Sequence, residues 1–188
     1  SLEIGGAQTV LYNLTSYKNK GFKNIVINLK SKSELSDKFR KSNVKLYELN
    51  IRSFFSLIVG FFRLIKILKH ENPHIVQTWL YHADLIGGLC SKIANIKIII
   101  WNIRGSEINY KTSTNLLIKL NSIFSYIIPK KIIFCSERSI NIHKNLGYKT
   151  NSVLIRNGIN TQLFAPDSKL KLKNRNEYSL NTQDFIIG

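Results

Sequence analysis

Acidic residues are scarce: 11 Asp and Glu stand against 28 Lys and Arg in 188 residues, a formal charge of +17. Such an excess favours anionic partners such as phosphate, nucleic acid or an acidic bilayer, without choosing among them. Cysteine is scarcer still. Two residues make no disulfide framework, which points to a reducing, cytoplasmic compartment, and neither a C-x-x-C pair nor a His/Cys cluster suggests metal. No run approaches the roughly 18 apolar residues of a spanning helix. The strongest, Phe54 to Phe62, is interrupted by Ser56 and Gly60 and stopped by Arg63. Absent too are G-x-G-x-x-G, the P-loop G-x-x-x-x-G-K-[ST] and the G-x-S-x-G elbow, which weighs against dinucleotide-binding, P-loop and serine-hydrolase chemistry. The chain opens directly on Ser1-Leu2-Glu3-Ile4-Gly5-Gly6 and stops within an apolar stretch at Gly188, so both ends are expected to be cut.

What is present is a core of respectable size. At 44% hydrophobic and 21% charged residues the chain falls in the globular range, with length for about one domain and a little over. Apolar runs of strand length alternate with helical patterns, which predicts an α/β fold: a Rossmann-like parallel sheet with helices on both faces. Strands are expected at 24–29, 44–49, 74–78, 97–103, 131–135 and 152–155. Helices are expected at 7–19, 34–41, 54–70, 83–94, 114–127 and 137–146. Runs such as Ile98-Ile99-Ile100 are apolar on both faces, as strands covered on each side require. Gly21, Asn95 and Gly147 fall just past three of the helices, where a left-handed residue is favoured. The domain is expected to span residues 1–165, with 166–188 a polar, Lys-rich linker leading into a second domain.

An open parallel sheet binds ligands at the carboxyl ends of its strands. Four places qualify. Gly5-Gly6 precede the first helix, whose free N–H groups and positive dipole end favour phosphate, although two glycines also simply make a tight turn. Gln77 to Asp84 follows the third strand and contains His82, whose charge is poised near neutral pH; a surface histidine beside a helix start is the plainer role. Asn102-Ile103-Arg104-Gly105-Ser106-Glu107 offers Arg104 as a fork for phosphate or carboxylate, with an Arg–Glu pair as the plainer outcome. At Phe134-Cys135-Ser136-Glu137, capping accounts for Ser136 and the helix dipole for Glu137. Cys90 and Cys135 read as small buried hydrophobes. The helix from Phe54 ends in basic residues and suits either a crossover buried on the sheet or a bilayer interface, with Arg63, Lys66 and Lys69 meeting anionic headgroups.

Taken in order, these places resemble the N-terminal half of family 4 glycosyltransferases of the GT-B fold, with the first strand missing. The resemblance rests on Gly5-Gly6-Ala7-Gln8, on Pro73 to Gly88, on Trp101 to Ser106, on Ile132 to Glu137, and above all on Ile155-Arg156-Asn157-Gly158-Ile159-Asn160-Thr161-Gln162-Leu163-Phe164-Ala165-Pro166. It implies retaining, metal-independent glycosyl transfer from a nucleotide-sugar co-substrate, with no other cofactor, to a lipid-linked or polysaccharide acceptor of the cell envelope. It places Gly5 and Gly6 beside the donor's phosphates and gives His82 and Arg104 catalytic positions. Tyr81, Asp84, Ser106 and Ser136 would lie on the acceptor side, and Asn157 and Gly158 would form an interdomain hinge. Two departures stand out: Gly105 where the family often has His, and Asn160 where Asp is usual. The family's E-x7-E element belongs to the C-terminal half, so this part alone is expected to be inactive. The enzyme is expected in the cytoplasm, peripheral at the inner face of the membrane. The competing reading is a basic module that binds nucleic acid or anionic membranes without catalysis. It is disfavoured for nucleic acid because most aromatics fall inside the predicted elements.

Overall fold

The structure is a computed structural model and describes residues 2–17, 21–42, 44–105, 112–162, 164–181 and 183–186. Two compact units divide it, Ser1–Asn157 and Gly158–Gly188. In the first, six strands follow the predicted order: β1 (Ile25–Asn28), β2 (Lys45–Glu48), β3 (Ile75–Trp79), β4 (Ile98–Ile103), β5 (Lys131–Phe134) and β6 (Ser152–Leu154). All pairings are parallel. Interleaved helices are α1 (Gly6–Ser16), α2 (Ser36–Lys41), α3 (Phe54–Glu71), α4 (Tyr81–Ile93), α5 (Thr112–Phe124) and α6 (Glu137–Asn145).

The expected single sheet is interrupted: β1-β2 form one piece and β3-β4-β5-β6 another. In the doubly wound order 3-2-1-4-5-6, a strand preceding α1 sits between β1 and β3, and the hydrogen bonding breaks at that place. Side chains still bridge it. Leu49, Leu64, Leu68 and Cys90 form a buried cluster to which Ile27 and Leu29 of the first piece and Val76 of the second both pack. The main core lies between α4, α5 and β3–β6, around Trp101, Ile99, Ile103, Ile132 and Phe134.

Helix ends follow the local chemistry. Ser53 caps α3 in a reciprocal capping box with Ser56, and Asn72 closes it in the left-handed region. Asn95 and Gly147, just past α4 and α6, adopt φ of 61° and 83°, as the sequence predicts, whereas α1 ends at Ser16 with Tyr17 as its cap, so Gly21, at φ 119°, does not close that helix. Gly88 of α4 marks a close approach, since a Cβ there would stand 2.7 Å from Ile128 and 3.0 Å from Trp101 Nε1.

One element departs from expectation. The polar stretch read as a linker is a helix, α7 (Ser168–Glu177), in the second unit. Its signal is its cap: Asp167 accepts hydrogen bonds from the backbone N–H groups of Lys169 and Leu170 at 2.9 and 3.0 Å. Arg175, buried despite its charge, donates to the carbonyls of Asn181 and Asp184 and ties the helix to the following turn. Composition misled because α7 has no apolar face to betray its period.

Candidate functional site

Three groups of residues meet the carboxyl ends of the first unit's strands. The segment ahead of α1 is held there by Leu2, whose carbonyl accepts from Leu35 N at 3.2 Å in the loop after β1. Gly5, the N-cap of α1, is extended at φ −174°, a conformation open to any residue. A Cβ at Gly6 would meet nothing within 4 Å, so no protein atom demands glycine there, and only a closely approaching ligand would.

After β3 the chain turns sharply into α4. Leu80 makes the turn at φ 73°, ψ 151°, a region that is nearly glycine's alone and costs a leucine roughly 1–3 kcal/mol. The helix therefore starts at Tyr81, two residues before its predicted start, and the turn splits two neighbours. Tyr81 points into the core, whereas His82 faces solvent. Desolvation by the surrounding protein holds the His82 pKa below the ordinary histidine range, and nearby positive charge, Lys30 included, acts the same way to a lesser degree. The imidazole is neutral near pH 7, able to donate from one nitrogen and accept at the other.

Beneath this turn lies a buried polar cluster. The Tyr81 hydroxyl donates to His143 Nε2 at 2.8 Å, and His143 Nδ1–H donates to the Ser139 carbonyl at 2.7 Å, which assigns the tautomer. Burial keeps His143 neutral by lowering its pKa. Tyr148 meets the same ring edge-on with centroids 4.9 Å apart. Asp84 is fully buried, accepts from Thr78 Oγ1 at 2.5 Å, and burial pushes its pKa well above the usual carboxylate range. Tyr81 and Asp84, expected on the acceptor side, are thus packed beneath the surface, where they hold α4 on β3 and α6.

Arg104 follows β4, one strand over from His82, in the register that pairs Trp79 with Asn102. Its guanidinium stacks on the Trp79 ring at 4.8 Å and donates to Asn157 Oδ1. Burial lowers its pKa, and Nε is buried with no hydrogen-bond partner. The backbone beneath is pinned from β5 and α6: the Cys135 thiol reaches the Arg104 carbonyl at 3.6 Å and Ser139 Oγ the Gly105 carbonyl at 2.7 Å. Cys135 is therefore only partly buried, at the site's floor. Cys90 is a buried hydrophobe as expected, with its thiol pKa pushed up to about 12. Ser136 caps α6 by accepting from Ser139 N at 3.2 Å, which occupies its hydroxyl. Ser106 and Glu107 lie outside the described residues.

Sequence reasoning missed Trp79 and Lys30. An aromatic closing one strand beside an Arg closing the next was the available signal for the first; Lys30 had none, because its place depends on the loop after β1. Gly158 opens the second unit immediately after Asn157. There Asn160 Oδ1 accepts from Gln162 N at 3.1 Å, serving the turn as an aspartate would. Among the described residues no group of three His, Cys, Asp or Glu is placed to hold a metal ion, and no helix is long and apolar enough to cross a membrane.

The family model for Glycosyltransferase Family 4 matches residues 4–163, and the chain belongs to that family. A curated relative, the N,N'-diacetylbacillosaminyl-diphospho-undecaprenol alpha-1,3-N-acetylgalactosaminyltransferase of Campylobacter jejuni, is 28% identical over 145 residues, 71% of this chain and 39% of the relative. Two crystal structures of Anabaena HepE share the fold. The UDP complex matches at TM-score 0.77 and 13% identity over 93% of this chain and 47% of that one. The UDP-glucose complex matches at 0.77 and 14% over 95% and 48%. The chain thus spans about two-fifths to one half of the proteins it matches.

Proposed function

We propose that the chain forms the acceptor-side part of an enzyme transferring a glycosyl group from a nucleotide-sugar, of the UDP class, to a lipid-linked or polysaccharide acceptor, with retention and without a metal ion. The observation that carries this reading is the placement of His82 and Arg104 at the carboxyl ends of adjacent parallel strands. Departure of a nucleoside diphosphate builds negative charge, which backbone N–H groups at the α1 start and cationic side chains stabilise where it develops. Family membership supports transfer, the UDP-bound structures support the donor class, and the name of the Campylobacter relative supports a lipid-linked acceptor. Retention follows the resemblance to retaining members.

The full-length protein should release UDP from a UDP-sugar only when a lipid-linked acceptor is supplied. Release should be unaffected by EDTA, and NMR of the product should show the donor's anomeric configuration. An inverted product removes retention; no turnover across a donor panel with extracted lipid acceptors removes the enzyme reading.

The same reading brings the chain to an anionic membrane surface on the cytoplasmic side. Phe54, Phe55, Ile58, Val59 and Phe62 of α3 are solvent-exposed, and Arg63, Lys66 and Lys69 follow. Flotation should recover more protein with anionic than with neutral vesicles at low salt, and equal recovery removes the electrostatic part.

A further inference from the structure

We propose that Trp79 and Asn157 are positioning residues that present Arg104 to a phosphoryl group of the substrate. The inference rests on the glycosyltransferase reading and deepens it by naming what the site binds. Arginine side chains are ordinarily free to rotate, and ordering one on binding costs conformational entropy. Here that cost is met in advance. The guanidinium is fixed against the Trp79 ring, and Nη1–H donates a hydrogen bond to Asn157 Oδ1. The backbone beneath is pinned through Cys135 and Ser139, while Trp79 from the end of β3 and Asn157 from the segment leaving β6 hold the side chain itself.

Among the described residues the charge so fixed has no counter-ion: no carboxylate lies within ion-pair range of Arg104, although Glu137, after β5, pairs instead with Arg156 at 3.6 Å. Asn157 contributes a neutral oxygen, and Nε–H has no acceptor. A partly desolvated cation without an anion is satisfied by a tetrahedral anion with several oxygens, met by the outer edge of a planar guanidinium. A neutral sugar hydroxyl would leave the charge unmet. Donor and acceptor can each bring a phosphoryl group, so the chemistry is shared and the source is read by experiment.

Asn157 gives the clamp a further property. It is the last residue of the first unit, so the chain leaving that unit is anchored through the residue that aims Arg104.

The test uses the full-length protein with 5-fluorotryptophan incorporated and 19F NMR, the Trp79 signal being identified by its loss in Trp79→Phe. Inorganic pyrophosphate at low ionic strength should shift that signal saturably. Arg104→Lys, which keeps charge but loses the fork and the stack, should weaken the response at least about tenfold. Asn157→Ala should weaken it about three- to fivefold, and Asn157→Asp, which supplies the missing anion, should weaken it further, both with unchanged thermal midpoints. A Trp79 signal indifferent to pyrophosphate, or an equal response in Arg104→Lys, overturns the proposal. In turnover, a KM raised by Arg104→Lys for the polyprenyl-diphosphate acceptor alone assigns the phosphoryl group to the acceptor. A KM raised for the UDP-sugar alone assigns it to the donor, and no change in either overturns the site. A Trp79 response without turnover on any donor keeps the site and sinks the enzyme reading; turnover with both KM values intact in Arg104→Lys does the reverse.

Discussion

Tyr81 and His82 are consecutive residues in the first turn of α4, and they serve opposite masters. Tyr81, with Asp84 one turn on, belongs to a buried cluster in which His143, Ser139, Asn121 and Thr78 supply hydrogen-bond partners. His82 and, on the next strand, Arg104 belong to the rim, where Leu80 is strained and, among the described residues, the Arg104 guanidinium has no carboxylate partner and its Nε–H no acceptor. Unpartnered polar atoms do not by themselves separate the two layers, since Asp84 Oδ2, Asn121 Oδ1 and Tyr148 Oη are buried without partners in the core as well. What separates them is the positive φ of Leu80, which turns Tyr81 inward and His82 outward.

The comparison breaks most sharply in the core. His143→Ala removes the Tyr81 hydroxyl's partner and leaves a cavity among three aromatic rings, so denaturant unfolding should show a loss of about 3 kcal/mol. At the rim, Arg104→Ala should leave the unfolding midpoint within about 1 kcal/mol of the parent while lowering kcat/KM of the full-length enzyme about a hundredfold, roughly 2.7 kcal/mol of barrier. If both substitutions cost stability equally, the two-layer distinction fails.

Leu80→Gly sharpens it. Relieving the positive φ should raise stability by about 1 kcal/mol, net of glycine's entropy, while loosening the His82 position and lowering activity. A destabilised variant would mean that Leu80 packing outweighs its backbone strain.

The smallest effect is a pH dependence. Burial raises the folded-state pKa of Asp84, so the unfolded chain ionises first as pH rises above 3.8, and the folded state loses stability from there up to the raised pKa. Asp84→Asn keeps an oxygen for Thr78 and cannot ionise. Its stability relative to the parent should be least below pH 3.8 and grow toward neutrality, read from melts at several pH values.

Much of this was legible beforehand. Continuous β-branched runs such as Ile98-Ile99-Ile100 announced covered parallel strands, and Gly147 and Asn95 marked helix ends because only a few residue types tolerate the left-handed region. The rim was legible as positions after strands. Its division into layers was not, since that depends on a single dihedral at Leu80, whose sequence carries no glycine to betray the turn. Nor was the Arg104 clamp: Trp79 and Asn157 are 25 and 53 residues away along the chain, and only the parallel register and the return from β6 bring them together. The helix α7 escaped notice because capping, not periodicity, specifies it.

The break between β1-β2 and β3–β6 carries a further consequence. Among the described residues, β1 and β3 each border a row of backbone amides and carbonyls with no ladder partner, and Ile75 on the latter is half exposed at 48%. Such rows template recruitment of extended chain, so these two borders are where self-association would begin.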